Sequence, residues 1–273
     1  AFAASLFRDD LPNLERLLPV FQNAAIHTRH LAQPLAWYEQ QHSFAEANAL
    51  YDKLALELGA EAAFAALAKA DFDPAAIEVV VFVSSTGIAT PTLDSKLIGR
   101  LGLPASTVRV PLWGLGCAGG VAGLARAADL VRATGKTALL VAVELCSLTF
   151  QRSDASKSNL VGTSIFADGA AAVIITPGGS GLELLDSYSQ MFPDTEDVMG
   201  WDVSETGLKV RFSQSIPAII REELPTVVKQ ACCRWGVSRG QLRHFVVHPG
   251  GIKVLKAYQD SLGLSARQLS DAY

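Results

Sequence analysis

Hydrophobic positions in this chain recur with two different periods, and the switches between them mark the elements. Leu6, Leu11, Leu14, Leu17 and Leu18 fall at near-helical spacing, which predicts helix at the start. Residues 26–30 read as a short extended or looping piece. From 42 to 70 the chain is rich in Ala, Leu, Glu and Lys, with Ser43 placed as an N-cap and Glu46 completing a capping box. Asp71-Phe72-Asp73-Pro74 stops that helix, and the valine-rich run 77–83 has the length and composition of a strand buried on both faces. Ser84-Ser85-Thr86-Gly87 closes the strand. Small hydroxyl residues there either line a cleft or cap the next element. A helix near 93–101 and a second strand at 107–112 lead to Trp113-Gly114-Leu115-Gly116-Cys117-Ala118-Gly119-Gly120. The stretch 118–128 has almost no large polar group, so the helix it begins is predicted to be buried nearly all round.

A further valine-leucine strand at 138–143 ends in Glu144-Leu145-Cys146-Ser147, and the polar stretch 150–159 reads as a surface crossing. Residues 160–166 run into Asp168-Gly169, a predicted turn, and then a strand to 175. The glycine-rich piece 177–181 reads as a link between two halves, 1–178 and 179–273. The second half is predicted to hold a strand at 182–188, a hairpin at 201–212, an amphipathic helix at 216–235 between Pro217 and Gly236, and a strand at 245–247 that runs into His248-Pro249-Gly250-Gly251. Segments 81–87 and 245–251 share one pattern, an apolar strand breaking into a small-residue loop. That is consistent with two similar α/β halves.

Composition narrows the function. The 273 residues are 49% hydrophobic, enough for a sizeable core. With 23 Lys+Arg against 27 Asp+Glu, the net charge of -4 offers no basic field for nucleic acid or an anionic membrane. A phosphate-bearing ligand would need local cations. Arg16 and Arg29 are the nearest, although each reads first as a solvated surface charge. Neither a signal peptide nor an apolar run near the roughly 20 residues that span a bilayer is present, so a soluble, cytoplasmic protein is expected. Four cysteines without CxxC or His-spaced patterns point to reduced thiols, and Cys232 and Cys233 read as small buried hydrophobes on a helix.

Cys117 is different. It stands where a strand gives way to a buried helix, and unpaired N–H groups with the positive dipole end are expected to depress its pKa, as an activated nucleophile requires. Gly116, Gly119 and Gly120 would let a reacting group approach the backbone. His248 ends an apolar strand beside two glycines, the same kind of place, and there it could hydrogen-bond a thiolate and stabilise an oxyanion. A buried structural histidine is the alternative. His27, His30, His42 and His244 read as structural or solvent-facing.

Three separated motifs, 116–120, 159–172 and His248-Pro249-Gly250-Gly251, resemble those of type III polyketide synthases, the chalcone-synthase-like branch of the thiolase fold. The resemblance runs in order along nearly the whole chain. It implies an α/β, five-layered αβαβα fold of two pseudo-symmetric halves, a homodimer, and iterative decarboxylative condensation of malonyl-CoA onto an acyl-CoA starter without a metal or redox cofactor. It implies that Cys117 carries the acyl chain, that His248 keeps the thiolate paired and polarises the malonyl thioester, and that Phe166 is a gate between CoA tunnel and cavity. Ser85, Thr86, Cys146, Thr149 and Gly250 fall along the implied pocket, and Arg16 is the candidate for CoA phosphates.

Two positions depart from the plant pattern: Val210 replaces a second gatekeeping phenylalanine, and Trp201 stands where plant chalcone synthases have a small residue. The wording at 144–150 and 199–202 is similar to bacterial members, which points to alkylpyrone or alkylresorcinol products from fatty acyl starters. The family's third catalytic residue, an asparagine in a Gly-Asn-Met-Ser-like segment, has no counterpart before Tyr273, and Asn159 does not match it. The second half is therefore expected to be incomplete relative to the family, and the chain by itself to be poorly stable and to condense little, while the intact parent is expected to be active. A ketoacyl-carrier-protein synthase III uses the same residue types. A cysteine hydrolase is disfavoured because the segment around Cys117 lacks the first glycine of the G-x-S-x-G elbow. A non-catalytic dimer partner is the reading outside enzymes.

Overall fold

Three short helices, α1 (Phe2–Phe7), α2 (Leu14–Leu17) and α3 (Pro19–Asn23), open the chain in the computed structural model, which describes residues 2–8, 11, 13–24, 26–179 and 181–272, with backbone alone at 271 and 272. Leu6 and Phe7 bury against Leu160, and the Arg29 guanidinium, half-buried, donates to the Ser164 carbonyl. Arg29 is thus committed to a structural clamp, whereas Arg16 stays on the surface.

Helix α4 (Phe44–Ala70) begins as the sequence predicts. The Ser43 N–H donates to Glu46 Oε2 at 2.8 Å while the Glu46 N–H donates to Ser43 Oγ at 3.2 Å, so two N–H groups left over at the helix start are satisfied. Asp71 ends it in the left-handed region at φ 49°. Strand β1 (Val79–Val83) then runs between β2 (Val108–Leu112) and β3 (Ala138–Leu145), parallel to both, and β4 (Asp168–Ile175) closes the far side antiparallel to β3, giving the order β2-β1-β3-β4. The predicted turn at Asp168-Gly169 is instead the start of β4, since Asp168 pairs with Leu145 and Gly169 with Glu144.

Both faces of this sheet are covered, which is why β1 is a continuous apolar run. Val80 and Phe82 face α4 and α5 (Leu93–Leu101), joining Tyr51, Ala55, Leu97, Leu139 and Val141. Val79, Val81 and Val83 face α6 (Gly119–Thr134), joining Ala127, Val131 and Leu140. Helix α7 (Lys157–Ile165) precedes β4, and Asn159 in the supposed surface crossing is buried, its amide donating to the Gln151 and Asp154 carbonyls, each at 2.8 Å.

The second half follows the sequence reading in part. Strands β5 (Met199–Ser204) and β6 (Gly207–Phe212) form the predicted hairpin, α8 (Ile216–Trp235) is the predicted helix, and it packs on α9 (Ile252–Leu262). Residues 182–188 and 245–247 form no strand. A strand exists only with a neighbour to complete its hydrogen-bond ladder. These segments have none among the described residues, and Leu182, Leu185 and Val246 are 98%, 77% and 81% exposed. The suggested duplication therefore holds for pattern but not for secondary structure. All four cysteines are free thiols. Cys232 is buried as expected, while Cys233 is exposed, pointing away from the face α8 buries. Among the described residues no helix is long and apolar enough to cross a membrane.

Helix α6 is buried along one face only, with Val121 74% exposed, against the expectation of burial nearly all round, and its buried face lies unusually close to the sheet. A Cβ placed on Gly123 would sit 2.7 Å from Val83 Cγ2 and 2.9 Å from Leu140 Cδ1, whereas one on Gly120 would meet nothing within 4 Å. Gly123→Ala is expected to destabilise the fold by about 1–3 kcal/mol through overpacking. Gly120→Ala is expected to leave the midpoint of urea unfolding unchanged or slightly raised.

Candidate active site

Because β1, β2 and β3 are parallel, their C-terminal ends lie along one edge of the sheet, where α/β proteins place their ligands. Three loops leave that edge: 84–87 after β1, 113–118 after β2, and the short turn Cys146–Thr149 after β3. Hydrogen bonds tie them together. Ser84 Oγ accepts from Tyr51 of α4 at 2.8 Å, Ser85 Oγ accepts from the Gly116 N–H at 3.0 Å, and Thr86 Oγ1 accepts from the Leu145 N–H at 2.8 Å. The Trp113 indole donates to the Gly87 carbonyl at 2.9 Å. Ser85 and Thr86, placed along the pocket by resemblance, are buried and serve first to bind the loops to one another.

Cys117 occupies the one-turn segment Gly116–Ala118 that leads straight into α6, and positive φ at Gly114 (83°) and Gly116 (51°) makes the sharp approach. Its side chain is exposed to solvent, yet enough protein surrounds it that lost hydration, and after that the Glu144 charge, push the thiol above its usual range. This reverses the direction expected from the helix N-terminus. The dipole contributes typically 0.3–1 kcal/mol, less than about one pKa unit, whereas burial shifts ionisable groups by up to about 3–5 units.

Glu144, near the end of β3, is the functional candidate that the sequence reading passed over. Burial raises its carboxyl to about 7, against the lowering effect of the Ser85 N–H, which donates to Oε2 at 3.0 Å. Its Oε1 is buried and accepts no hydrogen bond. An acidic residue closing an otherwise apolar strand was the signal available. Cys146, half-buried, has its thiol pushed well above the usual range by burial and then by Glu144 and Asp168, so it is no competitor as a nucleophile at neutral pH. Thr149 is buried and donates to the Cys146 carbonyl at 2.8 Å. Asp168 holds this turn by accepting from the Ser147 N–H at 2.7 Å.

A second group gathers at the C-terminus of α7. Phe166 stacks edge-on against Trp201 (6.2 Å between centroids) and Phe212 (6.5 Å), and Trp201 pairs with Val210 across the β5–β6 hairpin. Gly162 makes the meeting possible: a Cβ there would lie 3.4 Å from the Phe166 ring and 3.5 Å from Val210 Cγ1. The structure thus brings Phe166, Trp201 and Val210 together and adds Phe212. The His248 loop approaches the same helix end, since a Cβ on Gly251 would lie 3.8 Å from Ile165 Cγ2, while Gly250 packs beside Val254. Burial pushes the His248 imidazole below its usual value, so the ring is neutral at pH 7. No hydrogen bond joins it to Cys117 among the described residues. Burial thus pushes both groups toward their neutral forms, the thiol upward and the imidazole downward. Tyr258 of α9 is raised by burial and then by the Cys117 charge, which brings α9 within electrostatic reach of the thiol.

Residues 31–179 match the family model for the N-terminal domain of chalcone and stilbene synthases, and residues 183–272 match that for the C-terminal domain. A putative chalcone synthase of Bacillus subtilis is 40% identical over 286 residues, covering 99% of this chain and 78% of the relative. The 1,3,6,8-tetrahydroxynaphthalene synthase of Streptomyces peucetius subsp. caesius is 38% identical over 258 residues, covering 92% of this chain and 68% of that enzyme. The crystal structure of 1,3,6,8-tetrahydroxynaphthalene synthase from Streptomyces coelicolor, a bacterial type III polyketide synthase, superposes with a TM-score of 0.93 at 30% identity, covering 98% of this chain and 77% of that one.

The raised Glu144 carboxyl has a thermodynamic signature. An acid whose folded pKa (about 7) exceeds its ordinary value (4.5) leaves stability intact below the lower value and withdraws it as pH rises through the higher. Between about pH 5 and pH 8 the melting temperature of the wild type is expected to fall more than that of Glu144→Gln, as scanning calorimetry would show. Parallel curves would mean that Glu144 ionises freely.

Proposed function

Since the chain belongs to the chalcone and stilbene synthase family, and with it to the type III polyketide synthases, we propose that Cys117 and His248 carry iterative decarboxylative condensation of malonyl-CoA onto an acyl-CoA starter. The observation that carries this reading is the setting of Cys117: an exposed thiol at the carboxyl edge of a parallel sheet, with open space over Gly116 and Gly120 on either side.

The protonation states suit the first step. Neutral His248 takes the Cys117 proton, the sulfur attacks the starter thioester carbon, and CoA departs as the thiol with that proton, leaving acyl-Cys117. Malonyl-CoA then loses carbon dioxide. The electrons of the broken C–C bond form an enolate, whose oxygen accepts a hydrogen bond from His248. The enolate carbon attacks the acyl-Cys117 carbonyl, a C–C bond forms, and the sulfur leaves as thiolate with a β-ketoacyl-CoA as product, ready for reloading. These steps call for CoA thioesters and for no metal or redox cofactor. Arg16, exposed on α2, is the proposed contact for CoA phosphates.

Phe166 serves as gate, and the Trp201–Val210 pair shapes the wall beside it in place of the plant arrangement. That supports an aliphatic starter and closure to a pyrone or resorcinol-type ring. We place the enzyme in the cytoplasm as a homodimer. The outer edge of β2 is unpaired among the described residues, and Val108, Trp113, Leu115 and Val121 are exposed beside it, a surface suited to a second copy.

Incubation with acyl-CoA of several chain lengths, followed by intact mass measurement, is expected to show one acyl adduct, lost in Cys117→Ala. His248→Gln is expected to slow adduct formation by about 10²-fold or more. Adding malonyl-CoA, with malonyl-carrier protein in a parallel reaction, identifies the extender and the product. An adduct that survives Cys117→Ala would overturn the assignment.

A further inference from the structure

Glu144 is joined to the nucleophile by an unbroken set of contacts. The Ser85 N–H donates to Glu144 Oε2 at 3.0 Å, and Ser85 Oγ accepts from the N–H of Gly116, the residue before Cys117, at 3.0 Å. The next residue on each side repeats the link, since Thr86 Oγ1 accepts from the Leu145 N–H at 2.8 Å. One short segment therefore clamps the end of β3 to the start of the nucleophile turn. Oε1 of the same carboxyl is buried and unpartnered.

We propose that Glu144 is a positioning residue of the reaction: through Ser85 it fixes the Gly116–Cys117 backbone, and its charge acts on the Cys117 thiol and sets when that thiol can ionise. The proposal rests on Cys117 being the nucleophile. Among the described residues, the ionisable groups that interact with Glu144, Cys117 or Cys146 are Tyr51 from α4, raised to about 12, Asp168 from β4 and Tyr258 from α9. None of them brings a positive charge at neutral pH. An ionised Glu144 thus stands uncompensated and opposes a second negative charge on sulfur, while a protonated Glu144 does not. The carboxyl acts on substrate only through the thiol.

Iodoacetamide alkylation of Cys117, read by peptide mass across the pH range, measures thiolate formation directly. Glu144→Gln keeps an oxygen to accept from the Ser85 N–H and removes the charge. Its alkylation midpoint is expected to fall by about one pH unit relative to the wild type. Lower nucleophilicity offsets part of the gain in thiolate, so the rate at about pH 8, where Glu144 is mostly ionised in the wild type, is expected to rise about threefold. Ser85→Ala keeps the carboxyl and removes the acceptor of the Gly116 N–H. It is expected to leave the midpoint in place while slowing Cys117 acylation by acyl-CoA about tenfold, because the larger reagent depends on orientation.

Identical midpoints in wild type and Glu144→Gln would overturn the electrostatic role. A Ser85→Ala midpoint displaced as far as that of Glu144→Gln would reduce both to general loosening. Alkylation reads Cys117 whether or not any polyketide forms. Absence of an acyl adduct in the wild type would therefore count against the condensing reading and leave the midpoint comparison standing.

Discussion

Everything at the carboxyl edge of the sheet depends on how closely α6 can lie against β1. Gly119 and Gly123 are the positions where the helix meets Val83, and a Cβ at either would overlap that valine, at 2.6 Å and 2.7 Å from its methyl groups. The close approach puts the first turn of α6 level with the ends of three parallel strands. The Ser84–Thr86 segment, the glycine turn and the end of β3 can then reach one another by direct hydrogen bonds. With larger residues at 119 and 123 the helix would stand off, and Ser85 could not reach the Gly116 N–H. Packing between apolar surfaces thus sets the address of a polar site.

The same compactness decides the electrostatics. Crowding that seals the sheet edge also strips water from Glu144, Cys146 and, in part, Cys117, and each of these groups responds by favouring its neutral form. His248 responds to burial in the opposite sense for its charge type, with the same outcome, a neutral ring. The thiol and the imidazole are therefore both held toward their neutral forms, and Glu144, with its carboxyl at about 7, is the group whose charge changes near neutral pH.

Much of this was legible in the residues, and the failures share a cause. The helix from Phe44 to Ala70 announces itself by a local signal, the Ser43–Glu46 box. Strand β1 does so by five consecutive apolar residues, and Cys117 by the glycines around it. What could not be read depended on partners far away in sequence. Residues 182–188 and 245–247 carry strand composition, yet a ladder needs a neighbour, and here they run exposed. Asp168-Gly169 has turn composition, yet pairing with Glu144 and Leu145 draws it into β4. The direction of the Cys117 shift was misread because a local cue, the helix end, was weighed without the burial and the carboxyl that a different strand supplies. The meeting of Phe166, Trp201 and Val210 rested on a resemblance; Gly162, the residue that lets them touch, gave no signal of its own.

The two sets of contacts described at the site have no residue in common. Ser84, Ser85 and Thr86 bind α4, the nucleophile turn and β3, while Phe166, Trp201, Val210 and Phe212 bind the end of α7 to the β5–β6 hairpin. The first set is locked from three directions. The second is tied to the first only through packing, since β6 lies against α7, α4 and the Cys146–Thr149 turn while its ring contacts stay between α7 and the hairpin. Substitutions among Phe166, Trp201, Val210 and Phe212 can therefore reshape that surface without breaking any hydrogen bond around Cys117, so that one frame at the sheet edge can carry differently shaped neighbours in different lineages.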